Sequence, residues 1–323
     1  MEALVAPLES WIVGICDLAP PDTFFSWPWN IRFLIAIVLV SFVCGAIGSQ
    51  VVGNRMAFFS DALAHCAFAG FALAFLLFLA FGLGQQQFVN WMMLIMVVVG
   101  VGIGLLIAFV HDTTGLPSDT VIGVFFAGAI GLGAVFMRMA PRANFNIESF
   151  IFGDPQALRS IDLVFLFGLL VIAAIFLLRY YNELVLASVN PSLALSRNVP
   201  VRLCRYLFVM LLGLVVNLCL FVIGVLLINA LLIVPAATAA NFCRNLRQMF
   251  WWSIGLALLS GVGGQVLAWE LSMGFGRDVG TGGMIVVLTV CLFVISMVFG
   301  PAWRNRAVAL DQQPPEGMKT SQA

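Results

Sequence analysis

Asp61 and His65 are the residues whose types and spacing could do chemistry within a long apolar stretch of this chain. They stand four positions apart, so on a helix they share one face, with Cβ atoms about 6 Å apart. A carboxylate and a neutral imidazole are ligands for borderline divalent cations such as zinc, manganese and iron(II). The spacing predicts either a site on the path of a metal cation or a buried ion pair that fixes helix packing.

The composition indicates that this pair belongs to an integral membrane protein. The 323 residues are 62% hydrophobic and 9% charged, whereas about 25% charged residues is usual in soluble proteins. The net charge of zero provides no basic field for nucleic acid. The seven cysteines show neither CxxC nor paired spacing, so they predict no zinc knuckle or disulfide framework.

Membrane-spanning helices are predicted wherever about 20 mostly apolar residues follow one another. The region 203–243 is too long for one span and is interrupted by Gly224 and Pro235, which favours either two helices or one span plus a broken one. We therefore expect an all-α, polytopic transmembrane helical bundle of eight or nine spans. The candidates are 31–53, 60–82, 89–110, 119–138, 161–181, 203–222, 225–241, 250–269 and 282–300.

Arginine placement predicts the orientation, because cytoplasmic loops collect basic residues. The arginines between 197 and 205, those at 244 and 247, and those at 304 and 306 would be cytoplasmic. The N-terminus and 139–160 would then be outside, although Arg138 and Arg142 do not fit. With Arg55 inside, His65 lies about 15 Å deep, since a helix rises 1.5 Å per residue.

The chain divides into three predicted parts. Residues 1–30, with tryptophans before the first apolar run, form an N-terminal interfacial segment. Residues 31–301 form the transmembrane domain, and 302–323 form a polar cytoplasmic tail, which we expect to be disordered from about Asp311.

The other polar residues in or near spans have less specific interpretations. Asn217 and Asn229 are amides within the membrane that could bond a neighbouring helix or the water shell of a passing ion. His111 and Asp112 end a span, where a solvated loop is expected. Solvated external loops are also predicted for four acidic residues, Glu148, Asp154, Glu270 and Asp278.

Enzymatic motifs are missing from the sequence. It contains no HExxH, no Walker A motif and, with two histidines in all, no convincing serine–histidine pair. We therefore expect no enzymatic activity, and any ATP hydrolysis would take place on another chain.

Four segments resemble ABC-transporter permeases for zinc, manganese and iron uptake. Residues 52–65 (VGNRMAFFSDALAH) are similar to that family's helix entry, in which a basic residue, Met and D-x-x-x-H recur in order. Residues 150–154 (FIFGD) resemble its external "-LFGD-" segment, and 189–202 its cytoplasmic loop that docks on the ATPase. Residues 225–239 (VLLINALLIVPAATA) resemble its "GVLLVSALLIIPAATA".

The resemblance implies a homodimeric permease of the bacterial inner membrane, with the translocation path at the dimer interface. Its partners would be a cytosolic ABC ATPase that binds ATP, an extracytoplasmic metal-binding receptor and membrane lipid. Asp61 and His65 would be transient ligands of the transported ion, and no cofactor is implied. The ATPase-docking residues would be Pro191, Ser192, Leu193, Ala194 and Pro200.

The sequence departs from the family pattern at three places. Asn229 stands where a small serine is usual, which affects the expected pore shape. Asn190 replaces the usual acidic residue before the proline, which affects charge at the ATPase contact. The segment 1–30 is longer than the usual lead.

Two other functions are compatible with the residues alone. One is an ATP-independent secondary carrier of a metal or another small cation, and the other is an intramembrane enzyme. The ligand types of Asp61 and His65 suit zinc, manganese and iron alike, so the sequence does not select the ion.

Overall fold

A computed structural model describes residues 2–20, 23–82, 85–139, 153, 155–156, 158–277 and 279–311. These residues form helices and connections, with no β-strand in the described ranges. The helices are α1 (Glu2–Leu18), a short 3-10 helix (Phe24–Ser26), α2 (Pro28–Gly53), α3 (Ala57–Ala80), α4 (Gln85–Thr114), α5 (Ser118–Met139), α6 (Ser160–Val189), α7 (Pro191–Ser196), α8 (Val201–Ile223), α9 (Val225–Phe242), α10 (Leu246–Phe275) and α11 (Thr281–Asp311).

Nine helices in the described part of the chain, α2–α6 and α8–α11, are long and apolar enough to cross a membrane. Each coincides with one predicted span, so the predicted transmembrane helical bundle is confirmed. Three of them, α4, α6 and α10, have 30 residues. Such a helix is about 45 Å long and exceeds the roughly 30 Å hydrocarbon core, so these helices must tilt or extend beyond it.

The break between α8 and α9 falls at Gly224. Its φ of 86° and ψ of 162° lie in a backbone region that residues with a Cβ rarely adopt. The two-helix interpretation of 203–243 is therefore confirmed. The expected interruption at Pro235 was wrong, because α9 continues through this proline to Phe242.

The centre of the bundle consists of α2, α3, α8 and α9, each with more than half of its apolar window buried, whereas α5 and α11 lie at the outside. The helix α2 packs on α10 and α9, and α3 packs on α5 and α4. At Gly48 the backbones of α2 and α9 touch, since a Cβ there would overlap the carbonyl oxygen of Leu232. Small residues permit such close approach where lipid supplies no hydrophobic drive for association.

The N-terminal segment contains a helix that packs on the bundle. The helix α1 contacts α2 and α6, and its Ile12 is fully buried. Ser160, at the start of α6, donates a hydrogen bond to Glu9 at 3.0 Å. At the other end α11 continues without a break to Asp311, and the predicted disordered tail beyond it lies outside the described residues.

Candidate functional site

Asp61 and His65 lie in the first half of α3, one turn apart on the same face, as the spacing predicts. Their side chains are 37% and 36% exposed in the single chain. The surrounding α3 residues are mostly buried, among them Leu63 and Ala64 at 0% exposure. The pair therefore forms a polar, accessible patch on an otherwise buried helix.

The imidazole of His65 is held by the backbone of its own helix. Its Nδ1 lies 2.9 Å from the carbonyl oxygen of Asp61 and 3.6 Å from Oδ1 of the Asp61 side chain. A carbonyl oxygen only accepts hydrogen bonds, so in the neutral imidazole Nδ1 carries the hydrogen and Nε2 keeps its lone pair. A histidine whose second nitrogen is fixed in this way has the tautomer and orientation of a metal ligand.

Asn229 is the partner of Asp61 that sequence reasoning did not identify. Its Nδ2 donates a hydrogen bond to Oδ1 of Asp61 at 2.5 Å, bringing α9 onto the polar face of α3. The sequence marked Asn229 as an amide within the membrane and as a departure from a family motif. Nothing in the spacing indicated that it would reach Asp61.

Aromatic and apolar neighbours complete the surroundings of the pair. The ring of Phe126, on α5, lies 4.9 Å from the His65 ring between centroids. Cys66, adjacent to His65, is fully buried and packs with Ala69 and Ala129. Cys66 therefore contributes to packing between helices.

The described part of one chain contains no group of three or more His, Cys, Asp and Glu side chains that could hold a metal ion. Asp61 and His65 thus offer one carboxylate and one imidazole nitrogen. Zinc in proteins is usually four-coordinate, so an ion bound here needs further ligands from water, from amide oxygens or from another chain.

The second amide within the membrane, Asn217, has a different setting. It is fully buried and its Nδ2 donates to the carbonyl oxygen of Gly213, one turn earlier on α8, at 2.7 Å. It packs against Gly100 of α4, where a Cβ would overlap the amide. Asn217 therefore belongs to the contact between α4 and α8 and not to the Asp61 patch.

His111 and Asp112 lie in the last turn of α4, so the predicted solvated loop was wrong. Asp112 forms a salt bridge with Arg205 of α8, and His111 Nδ1 lies 2.9 Å from the carbonyl oxygen of Leu116. The ion pair joins two helices that are far apart in sequence, which is why the local pattern did not reveal it.

The predicted docking loop forms the short helix α7 and the turn after it. Asn190 is its N-cap, and its side-chain oxygen accepts a hydrogen bond from the Leu193 backbone N–H at 3.1 Å. An acidic residue would cap in the same way, so asparagine keeps the cap and removes the charge. Of the predicted docking residues, Ser192, Leu193 and Pro200 are exposed, Ala194 is buried, and Pro191 begins the helix.

The structure describes only one of the four acidic residues that were predicted to lie in external loops. Glu270 lies within α10, so its assignment to a loop was wrong. Glu148, Asp154 and Asp278, and most of the segment 150–154, lie outside the described residues. Gly153 of that segment is described, and it packs against the end of α8, where a Cβ would lie 2.5 Å from the carbonyl oxygen of Ile223.

The nine apolar helices of the described residues define a multi-pass membrane protein. Asp61 and His65 lie on one of these helices, and ionisable residues on membrane-spanning helices typically mark ion and substrate pathways. Residues 28–300 match the ABC 3 transport family. The chain belongs to this family, and is the permease subunit of an ABC transporter in the bacterial inner membrane.

Several relatives of this chain are named for metal transport. The manganese transport system membrane protein MntC of Halalkalibacterium halodurans is 27% identical over 280 residues, covering 87% of this chain and 90% of that protein. The high-affinity zinc uptake system membrane protein ZnuB of Haemophilus influenzae is 28% identical over 264 residues, covering 82% and 95%. The structure of PsaBC from Streptococcus pneumoniae in complex with Fab matches with a TM-score of 0.70 at 26% identity, covering 88% and 96%.

Proposed function

We propose that this chain forms the translocation path of a binding-protein-dependent ABC importer for divalent metal ions, manganese, zinc or iron. Asp61 and His65 bind the ion transiently on its way through. The observation that carries the proposal is the shared, accessible face of α3, which presents the Asp61 carboxyl group and, one turn further on, the His65 ring, whose Nδ1 is bound to the backbone so that Nε2 keeps its lone pair. Relatives named for manganese and zinc transport support the choice of ion class.

The site favours a homodimer as the working form. One chain supplies one carboxylate and one imidazole, both more than a third exposed. A second copy with its α3 facing the first would add an identical pair and would cover both patches. Closed two-fold assemblies of this kind are the commonest soluble homo-oligomers, and here the symmetry axis would coincide with the path.

The energy for transport comes, in this proposal, from a separate ATPase subunit that docks on α7 and the turn to Pro200. The exposed side chains of Ser192, Leu193 and Pro200 supply the contact surface. An extracytoplasmic receptor delivers the ion to the opposite side. Binding at Asp61 and His65 has to be weak, since the ion must leave as well as enter.

Metal uptake into proteoliposomes that contain the chain and its ATPase tests the proposal. We expect Asp61→Asn and His65→Ala to lower uptake of radioactive manganese or zinc at least about tenfold. Matched controls are Asp119→Asn, at an exposed position in the first turn of α5, and His111→Ala, at the end of α4. Both controls should transport like the wild type.

Wild-type uptake by both Asp61→Asn and His65→Ala at equal membrane levels would refute the proposed path. Uptake that persists without the ATPase and ATP would instead indicate a secondary carrier. A chemical cross-link between α3 helices of two copies, formed in the assembled transporter and absent from monomers, tests the dimer separately.

A further inference from the structure

The side-chain amide of Asn229 is satisfied on one side only. Its Nδ2 donates to Oδ1 of Asp61 at 2.5 Å. Its Oδ1 is buried and has no hydrogen-bond partner among the described residues. Buried polar atoms nearly always have a hydrogen-bond partner. An amide oxygen without one, next to a proposed ion path, is therefore a candidate ligand for the ion.

We propose that Asn229 is a specificity-determining residue that supplies its amide oxygen as a further ligand to the transported ion. This inference rests on the proposed role of Asp61 and His65. Without an ion, the Asn229 NH₂ group holds the Asp61 carboxyl group in place. With an ion present, the amide group rotates by about 180° about its terminal torsion and presents Oδ1 to the cation.

The conformational change that this requires is small. The terminal torsion of asparagine joins an sp³ to an sp² carbon, so its energy profile is broad and roughly two-fold. A cation on Asp61 also repels the amide hydrogens that face the carboxyl group and attracts the amide oxygen. No backbone movement of α9 is needed, because Oδ1 and Nδ2 exchange places about the same bond.

The extra oxygen changes which ion the site prefers. Asp61 and His65 alone provide one oxygen and one nitrogen, and imidazole suits zinc as well as other first-row metals. Carbonyl and carboxylate oxygens suit manganese. With Asn229 the path offers two oxygens and one nitrogen per chain. We therefore expect the preference for manganese over zinc to be stronger than in a path without this amide.

A purely structural role for Asn229 is the alternative, since polar side chains also join helices inside membranes. Two variants separate the roles. Asn229→Ser shortens the side chain and withdraws the oxygen from the ion. Asn229→Asp keeps an oxygen ligand but removes the amide donor. Asn241→Ser is the matched control, because Asn241 lies on the same helix and donates to Ser296 instead.

The test is competition between manganese and zinc for uptake into proteoliposomes with the ATPase. We expect the manganese-to-zinc ratio to fall about tenfold in Asn229→Ser and to stay within about twofold of wild type in Asn229→Asp and Asn241→Ser. An unchanged ratio in Asn229→Ser, or an equal fall in Asn229→Asp, would overturn the inference.

A binding measurement keeps the inference testable should Asn229→Ser fail to fold. Titration of the detergent-purified chain with manganese should show tighter binding in Asn229→Asp than in wild type, by about tenfold, because a carboxylate binds manganese more strongly than an amide. Equal or weaker binding counts against the ligand role. If Asp61→Asn and His65→Ala also transport normally, the proposed function fails; if only the Asn229 results fail, the proposed path stands without this residue.

Discussion

The amide of Asn229 lies 2.5 Å from Oδ1 of Asp61, although 168 positions separate the two residues in sequence. A charged side chain at the centre of a membrane helix costs roughly 2.5–3.5 kcal/mol on insertion scales. The amide hydrogen bond offsets part of that cost for Asp61. The arrangement of the site therefore depends on where α9 lies, and α9 is positioned by its break at Gly224 and its contact with α2 at Gly48.

Substitution of Gly224 should disturb the start of α9. In Gly224→Ala the backbone must leave the φ of 86° or accept a strain of about 1–3 kcal/mol. We expect a lower thermal unfolding midpoint in detergent and reduced metal uptake. Gly255→Ala is the control, because a Cβ at this helical position in α10 meets open space. Equal behaviour of the two variants would refute the constraint at Gly224.

Addition of one methyl group at Gly48 should separate α2 from α9. A Cβ there overlaps the carbonyl oxygen of Leu232, and overpacking of this kind costs about 1–3 kcal/mol. Thermal unfolding of Gly48→Ala should therefore occur at a lower temperature than that of wild type. Gly102→Ala, on α4 with no neighbour within contact distance, should unfold like wild type. Since alanine favours helix more than glycine does, an unfolding temperature for Gly48→Ala as high as that of Gly102→Ala would contradict the contact at Gly48.

The salt bridge between Asp112 and Arg205 should contribute measurably to the contact of α4 with α8. Loss of either charge leaves the other without its partner, so Asp112→Asn and Arg205→Gln should each destabilise the protein. Because an ion pair at the end of a span is partly solvated, we expect a coupling of about 1 kcal/mol. A double-mutant cycle on unfolding free energies measures it, and strictly additive effects would contradict the prediction.

Substitutions of Asn190, the N-cap of α7, can separate the effect of the cap from the effect of charge at the proposed docking helix. Asn190→Asp retains a side-chain oxygen for the Leu193 N–H, whereas Asn190→Ala removes it at a cost of about 0.5–2 kcal/mol to the helix. We expect Asn190→Ala to weaken co-purification with the ATPase and Asn190→Asp to preserve it. If only Asn190→Asp loses the ATPase, the absence of a negative charge at this position, and not the cap, is the property that matters at this contact.

Hydropathy located the helices of this protein well, because a span must be apolar over its whole length and that requirement is written locally in the sequence. The break at Gly224 was identifiable because the apolar region 203–243 is too long for one span. Pro235 was misleading, since a proline inside a membrane helix can be accommodated when neighbouring groups satisfy the freed backbone. Glu270 was placed in a loop because α10 extends six residues past the predicted end of its span.

The candidate site was only half visible in the sequence. Asp61 and His65 are linked by helical periodicity, which spacing reveals. The bond from Asn229 depends on how α9 crosses α3, and that crossing is set by packing contacts distributed over the bundle. The salt bridge from Asp112 to Arg205 was hidden for the same reason, because each partner taken alone resembles an ordinary charged residue at the end of a span.

The backbone contact between Gly48 and Leu232 also limits how this permease can change shape. With no side chain between them there is nothing to repack, so α2 and α9 should travel as one rigid body. The helix α3 follows α2 after a short turn, in which Arg55 has a φ of 57°, and this turn can act as a pivot. Movement of α3 about that pivot would break the hydrogen bond from Asn229 to Asp61, and it would carry α4 and α5, which pack on α3, along with it.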